Sequence, residues 1–184
     1  MNKVSKSEVL NRIHDAAVTA VIRIRDRANL IKVVEAIVNG GVNCIEITMT
    51  VPGAVDIIND LVIKFGNSVL IGAGTVLSEK IAMDVVSAGS SFVVSPIFKP
   101  EIVEYCKNEG VVVIPGCFSP TEIYTAWELG ADIVKVFPAN IVGIRYFSDI
   151  LNVFPEIRLL PTGGVTLENA GDWIRAGAFA VAIG

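Results

Sequence analysis

The sequence contains one histidine and three cysteines, so it offers few ligands for a metal ion. The histidine, His14, falls in the first predicted helix, and Cys44, Cys106 and Cys117 show no C-x-x-C spacing. Zinc sites use three or four His, Cys or carboxylate ligands, and we therefore predict no metal. An odd number of cysteines without such spacing also predicts no disulfide framework, which is typical of a reducing compartment such as the cytoplasm.

Long apolar runs and basic stretches are missing as well. Hydrophobic residues make up 52% of the chain and the mean hydropathy is +0.61, yet no run approaches the roughly 20 apolar residues of a membrane span. The formal net charge of -4 and the isoelectric point near 5.0 argue against nucleic acid as a partner. Residues 1–17 are polar and lack the apolar centre of a signal peptide, so a cytoplasmic location is expected.

Short apolar runs, by contrast, recur along the whole chain. Such runs are typical of strands in a parallel sheet that is buried on both faces. Their spacing leaves room for one helix and two loops between neighbours. Helix signals lie between them, including a capping box at Ser119-Pro120-Thr121-Glu122. The eight runs are residues 18–23, 44–48, 69–72, 92–95, 111–115, 133–137, 158–161 and 179–183.

This alternation predicts one α/β domain over residues 1–184, a (β/α)8 TIM barrel. An open doubly wound sheet also fits strand–helix alternation, but eight units, an even number, favour the barrel. Residues 5–16 are predicted to form an extra N-terminal helix. Because Gly184 directly follows the eighth run, we expect the last helix of the barrel to be absent from this sequence, so that either the sequence is truncated or something else covers that flank.

Lys135 is the candidate nucleophile. Active sites of barrel enzymes lie at the carboxyl ends of the strands, and Lys135 lies near that end of an apolar run. A buried ammonium must be paired or have a depressed pKa, and a neutral amine can attack a carbonyl. The alternative is a lysine whose stem follows the strand while its amine reaches solvent.

Glu46 is the second charge inside an apolar run. Strand alternation places Cys44, Glu46 and Thr48 on one face, and Ile45 and Ile47 on the other. A carboxyl group that faces the interior of a barrel can transfer protons to and from a substrate. The alternative is a buried ion pair with a structural role only.

Anion-binding candidates follow three other strands. Gly163 and Gly164 precede a helix that Thr166 is predicted to cap, which indicates a phosphate site or, alternatively, an ordinary turn. Arg23 ends the first strand, where its planar guanidinium suits a substrate carboxylate. The segment 72–75, Gly-Ala-Gly-Thr, is either a second anion contact or a closely packed turn.

Six segments in order, covering the chain from about residue 15, resemble the 2-keto-3-deoxy-6-phosphogluconate (KDPG) and 4-hydroxy-2-oxoglutarate (KHG) aldolase family. They are Ile45-Glu46-Ile47-Thr48, Gly72-Ala73-Gly74-Thr75-Val76, Ser95-Pro96, Pro115-Gly116-Cys117-Phe118-Ser119-Pro120-Thr121-Glu122, Lys135-Val136-Phe137-Pro138-Ala139 and Pro161-Thr162-Gly163-Gly164-Val165.

The resemblance implies a homotrimeric class I aldolase that needs no cofactor, because the substrate forms an imine with the enzyme. KDPG would be cleaved to pyruvate and glyceraldehyde 3-phosphate, and KHG to pyruvate and glyoxylate. The implied roles are Schiff-base formation by Lys135, acid–base catalysis by Glu46, carboxylate binding by Thr75, pocket walls from Pro96 and Phe137, and phosphate binding by Thr162, Gly163 and Gly164.

Two departures from the family pattern bear on substrate binding. Thr50 stands where many members carry an arginine, so Arg23 is expected to hold the carboxylate instead. The family's serine-containing loop, which completes the phosphate site, would follow Gly184. The alternatives are a galactonate-specific aldolase, a phosphate-binding isomerase or epimerase in which Lys135 acts non-covalently, and a non-catalytic barrel that binds a sugar phosphate or assembles with partners.

Overall fold

The computed structural model describes residues 4–184 as an α/β fold in which short strands alternate with helices. Within that range every helix is too short or too polar to cross a membrane. The strands are β1 (Val18–Ile22), β2 (Cys44–Thr48), β3 (Leu70–Gly74), β4 (Phe92–Val94), β5 (Val112–Ile114), β6 (Gly116–Cys117), β7 (Val134–Val136), β8 (Leu159–Pro161) and β9 (Val181–Ile183). The helices are α1 (Lys6–Ala16), α2 (Arg27–Asn39), α3 (Ala54–Phe65), α4 (Glu79–Ser87), α5 (Pro100–Asn108), α6 (Pro120–Leu129), α7 (Ala139–Val142), α8 (Ile144–Val153) and α9 (Ala170–Arg175), with a 3-10 turn at Gly66–Ser68.

All strand pairs are parallel, as predicted for strands buried on both faces. One sheet has the order β5-β4-β3-β2-β1-β9 and the other has the order β6-β7-β8. An isolated parallel bridge between Thr162 and Ala182 links β8 to β9. The predicted fifth run, residues 111–115, forms β5, and the two-residue strand β6 was not predicted and follows Pro115, which has no amide hydrogen for a strand ladder.

Side chains alternate between an inner core and an outer core, as period-two strands require. Ile45 and Ile47 of β2 pack outward against the helices. Cys44 belongs to the inner core, which also contains Phe92 of one sheet and Leu160 of the other. Because both sheets contribute to the inner core, they form a curled, mostly parallel arrangement, and the predicted α/β class is confirmed to that extent.

Helix α1 closes the end of this arrangement that faces away from the carboxyl ends of the strands. Ile13 reaches the inner core with less than 2% of its surface exposed. The guanidinium of Arg12 donates hydrogen bonds to the carbonyls of Asn67 and Ser68, just before β3, at 2.8 and 3.0 Å. Lys6 pairs with Asp132, just before β7, at 3.0 Å. The helix predicted for residues 5–16 therefore lies at the opposite end from the candidate site.

Two predicted helix caps have different outcomes. The capping box of α6 is present, since Ser119 Oγ accepts from the Glu122 amide while the Glu122 carboxylate accepts from the Ser119 amide. The predicted cap of a helix by Thr166 is wrong, because α9 begins only at Ala170. Thr166 and Asn169 instead cap each other's amides, and this reciprocal pair of hydrogen bonds closes the turn that leads into the helix, where the Ala170 amide donates to the Thr166 carbonyl.

The α6 capping box should contribute measurably to stability. We expect Ser119→Ala to lower the free energy of unfolding by about 1 kcal/mol at pH 7, measured by urea denaturation. Hydrogen bonds from the amides and hydroxyl of residues 118 and 119 lower the pKa of Glu122 below 4.5. The stabilising contribution of the Glu122 carboxylate is therefore present above pH 4.5 and is lost as the pH falls through the pKa of the folded state, so the loss of stability caused by Ser119→Ala should shrink as the pH is lowered below 4.5.

Thr125→Ala is the matched control, because Thr125 is exposed on the same helix and alanine has the higher helix propensity. If Ser119→Ala lowers the free energy of unfolding no more than Thr125→Ala does, the capping box contributes nothing to stability.

Candidate active site

Lys135 lies on β7 with its side chain directed to the inner side of the sheet. Its neighbours Val134 and Val136 are fully buried in the outer core, so alternation turns Lys135 inward. It stands opposite Gly116 of β6 and Leu160 of β8 in the strand register. Only 6% of its surface is exposed, which contradicts the alternative in which the amine reaches solvent along the strand.

Burial also shifts the protonation equilibrium of this amine toward the neutral form. It lowers the pKa of Lys135 below the ordinary 10.5 because the charged form loses its hydration. The positive charge of Arg23 lowers the pKa further, whereas the carboxylate of Glu46 opposes the shift. The amine lies 5.2 Å from the ring centroid of Phe137. The surroundings therefore favour the neutral, nucleophilic form.

Glu46 faces the same interior from β2. The residue is 2% exposed, and burial raises the pKa of its carboxyl above 4.5. The nearby positive charges of Lys135 and Arg23 act against this shift but do not outweigh it. Burial thus displaces the two groups in opposite directions, the amine toward its neutral form and the carboxyl toward its protonated form. Opposite displacements of this kind are typical of groups that act as acid and base at functional sites.

Residues 72–74 form the closely packed carboxyl-terminal part of β3 rather than a turn. A Cβ atom on Gly72 would lie 2.2 Å from the ring of Phe92, and one on Gly74 would lie 1.8 Å from Oε1 of Glu46. Thr75 follows directly, half-buried, with a positive φ of 59°. The sequence predicted either an anion contact or close packing here. The close approach of neighbouring side chains to the two glycines supports close packing.

A pocket beside the lysine collects five of the predicted site residues. Arg23, Phe137, Thr162, Gly163 and Gly164 line it together with residues 21, 165, 182 and 184. The hydroxyl oxygen of Thr162 is buried and has no hydrogen-bond partner among the described residues. Arg23, predicted to hold a carboxylate, thus shares its pocket with the glycine loop that is predicted to bind phosphate.

Pro96 and Thr75 lie at the ends of neighbouring strands but do not line this pocket. Pro96 follows Ser95 after β4, and a Cβ on Gly116 would lie 2.3 Å from its carbonyl carbon. Gly116 in turn is the register partner of Lys135. The backbone of Pro96 therefore packs against the strand that adjoins the lysine, which places it near the site wall.

Sequence reasoning missed the part that glycines play in this site. Gly74 and Gly116 permit the close approach of Glu46 and Pro96, respectively. The available signal was a glycine within a strand pattern, which often marks a close approach. Elsewhere, within residues 4–184, no cluster of three or more His, Cys, Asp or Glu side chains is arranged to hold a metal ion.

Comparison with known proteins agrees with this arrangement. The family model described as KDPG and KHG aldolase matches residues 9–184. A 2-dehydro-3-deoxy-phosphogluconate aldolase of Treponema pallidum is 36% identical over 168 residues, which is 91% of this chain and 78% of that protein. A 2-dehydro-3-deoxy-6-phosphogalactonate aldolase of Escherichia coli is 34% identical over 152 residues, 82% of this chain and 74% of that protein.

A solved structure is also similar along most of the chain. The KDPG aldolase of Legionella pneumophila, with pyruvate captured at low pH as a covalent carbinolamine intermediate, superimposes with a TM-score of 0.88. It is 29% identical, and the match covers 97% of this chain and 86% of that one. Fold and relatives together define a lyase of the aldolase class. The chain belongs to the KDPG and KHG aldolase family, which confirms the resemblance found in the sequence.

The raised pKa of Glu46 predicts a pH-dependent stability difference. The folded state keeps the Glu46 proton above pH 4.5, where the unfolded state has lost it. The contribution of the Glu46 carboxyl to the free energy of unfolding is present below pH 4.5 and is lost as the pH rises through the pKa of the folded state. The wild type should therefore lose stability over this window relative to Glu46→Gln, whose side chain does not titrate.

Urea denaturation at several pH values between about 5 and 8 measures this difference. Glu104→Gln replaces an exposed glutamate, and its free energy of unfolding should vary with pH as that of the wild type does. If the free energies of unfolding of the wild type and Glu46→Gln change with pH in parallel, burial does not favour the protonated carboxyl.

Proposed function

We propose that this aldolase cleaves KDPG to pyruvate and glyceraldehyde 3-phosphate through an imine on Lys135, and that it also cleaves KHG to pyruvate and glyoxylate. The observation that carries the proposal is the pairing of a buried amine with a buried carboxyl on facing strands, with their pKa values displaced in opposite directions. The covalent pyruvate in the Legionella pneumophila relative supports covalent attack in this chain.

In the first half of the reaction, the neutral amine of Lys135 adds to the C2 carbonyl. A proton passes from nitrogen to the carbonyl oxygen by way of Glu46, which gives a carbinolamine. Glu46 then donates its proton to the C2 hydroxyl, and water leaves. The products of this half are a protonated imine at C2 and an ionised Glu46.

In the second half, the protonated imine accepts electrons from the bond that breaks. The Glu46 carboxylate removes the C4 hydroxyl proton, the C3–C4 bond breaks, and its electron pair forms an enamine between C3 and C2. Glyceraldehyde 3-phosphate departs, and Glu46 returns its proton to C3. Water then adds to the imine carbon, Glu46 accepts the released proton, and pyruvate is freed from Lys135.

Binding roles follow from the pocket beside the lysine. We assign the phosphate of the substrate to Thr162, Gly163 and Gly164, where an unpaired buried hydroxyl and a glycine-rich backbone offer donors. Arg23 shares this pocket and adds positive charge that can reach either acidic end of the substrate. We assign the pyruvyl carboxylate to Thr75.

Pro96 and Phe137 are assigned to the walls of the site. Phe137 lines the pocket and lies beside the Lys135 amine, and both observations support its assignment. No cofactor takes part in the proposed chemistry, because the electrons are accepted by the imine.

The architecture we propose is a single closed (β/α)8 barrel domain with α1 across its amino-terminal end. The inner core shared by the two sheets, the Thr162–Ala182 bridge and the chain continuity at Pro115 support closure. We further propose a homotrimer, because large apolar side chains such as Leu167 and Ile141 are 83% and 68% exposed. Three buried free cysteines support a cytoplasmic location.

Borohydride reduction in the presence of pyruvate tests the covalent step. We expect a reduced pyruvate adduct on Lys135 of the wild type, identified by mass spectrometry of a proteolytic digest. Lys135→Arg should give no adduct, because a guanidinium does not form the imine. Lys80→Arg, which replaces an exposed lysine, should be labelled like the wild type. A folded wild type without the adduct would favour a non-covalent isomerase or epimerase.

The galactonate epimer is the second candidate substrate, supported by the Escherichia coli relative that is 34% identical. Comparing kcat/KM for the two C4 epimers separates these activities. We expect the gluconate epimer to be preferred by roughly tenfold or more, a ratio that one or two substrate contacts can produce. Preference for the galactonate epimer would assign the chain to the other branch of the family.

A further inference from the structure

The position of the Glu46 side chain depends on a diagonal contact across two strands. In the register of β2 and β3, Glu46 stands opposite Gly72, and Gly74 stands opposite Thr48. The carboxyl group nevertheless lies over Gly74, where an added Cβ would be 1.8 Å from Oε1, 2.5 Å from Cδ and 2.8 Å from Cγ of Glu46. The side chain therefore leans along its strand toward the carboxyl end of the sheet.

Space, rather than backbone conformation, is what requires glycine at position 74. Its φ is not positive, so an L-residue could adopt the same backbone. A glycine in a strand often marks a close approach by another group. Here the volume above Gly74 is occupied by the Glu46 carboxyl.

The amino-terminal side of this volume is closed by packing. The ring of Phe92 occupies the space over Gly72, at 2.2 Å from where a Cβ would lie, and is fully buried. Toward the interior, the positive charges of Lys135 and Arg23 act on Glu46. The carboxyl group thus lies over the bare backbone of Gly74, next to the space that Phe92 fills, and within electrostatic reach of the Lys135 amine.

We propose that Gly74 is a positioning residue for catalysis, because its missing side chain provides the space in which the Glu46 carboxyl is held toward Lys135. This inference rests on the proposed aldolase function. A methyl group at position 74 would force Glu46 into another rotamer and separate the proton carrier from the imine, while the lysine would keep its place on β7.

Deuterium exchange into the pyruvate methyl group, followed by NMR, measures proton transfer at the enamine carbon. Borohydride trapping at equilibrium measures the imine separately. In Gly74→Ala we expect exchange per trapped imine to fall about 100-fold or more, the range for losing an acid–base group, with imine still formed. If the wild type forms imine and exchanges protons but Gly74→Ala matches it, the positioning proposal is wrong. If the wild type does neither, the proposed function is wrong.

Gly72→Ala is the matched control on the same face of the same strand. Its methyl group would meet Phe92 instead of Glu46, so it should lower the melting temperature by roughly 2–10 °C through overpacking. Exchange per trapped imine should stay within a few-fold of the wild type. A loss of exchange as large as that in Gly74→Ala would overturn the assignment, because it would show a general effect of overpacking β3.

A double-mutant cycle with Glu46→Ala needs no activity. Glu46→Ala removes the three atoms that the methyl group introduced by Gly74→Ala would meet. Gly74→Ala should therefore lower the melting temperature in the wild-type background, or prevent folding, and have little effect in the Glu46→Ala background. If Gly74→Ala lowers the melting temperature equally in both backgrounds, the added methyl group clashes with the strand backbone rather than with Glu46, and the proposal is wrong.

Discussion

Burying an amine and a carboxyl group on facing strands is the constraint on which the rest of this site depends. Lys135 and Glu46 are 6% and 2% exposed, and neither can keep its charge there without losing hydration. Burial therefore favours a neutral amine and a protonated carboxyl, and the mutual attraction of their charged forms reduces the shifts without reversing them.

The apolar framework makes that burial stable. The outer core holds the strands against the helices, and the inner core fills the space between the two sheets. Gly72 and Gly74 then allow Phe92 and Glu46 to lie directly on the backbone of β3. The functional groups are accordingly positioned by the volume that neighbouring residues leave open, as well as by the strands that carry them.

Much of the fold could be predicted because its signals are local. A period of two assigned Glu46 to the inner face, and Ser119 with Glu122 marked the start of α6 from four consecutive residues. The prediction failed where local signals compete. A short strand, β6, follows Pro115 beyond the end of the predicted run, and Asn169 binds the amide and hydroxyl of Thr166 in the turn before α9.

By itself, the sequence determined the approximate positions of most strands, the start of α6, the inward face of β2 and the family, because these follow from periodicity, capping chemistry and ordered motifs. It also predicted Lys135 and Glu46 as partners, although they are far apart along the chain. Only the tertiary structure decided that Arg23 shares a pocket with the glycine loop and that Glu46 lies over Gly74. Such contacts depend on how strands lean and how volumes are shared in three dimensions, and a glycine in a sequence does not reveal which side chain occupies its space.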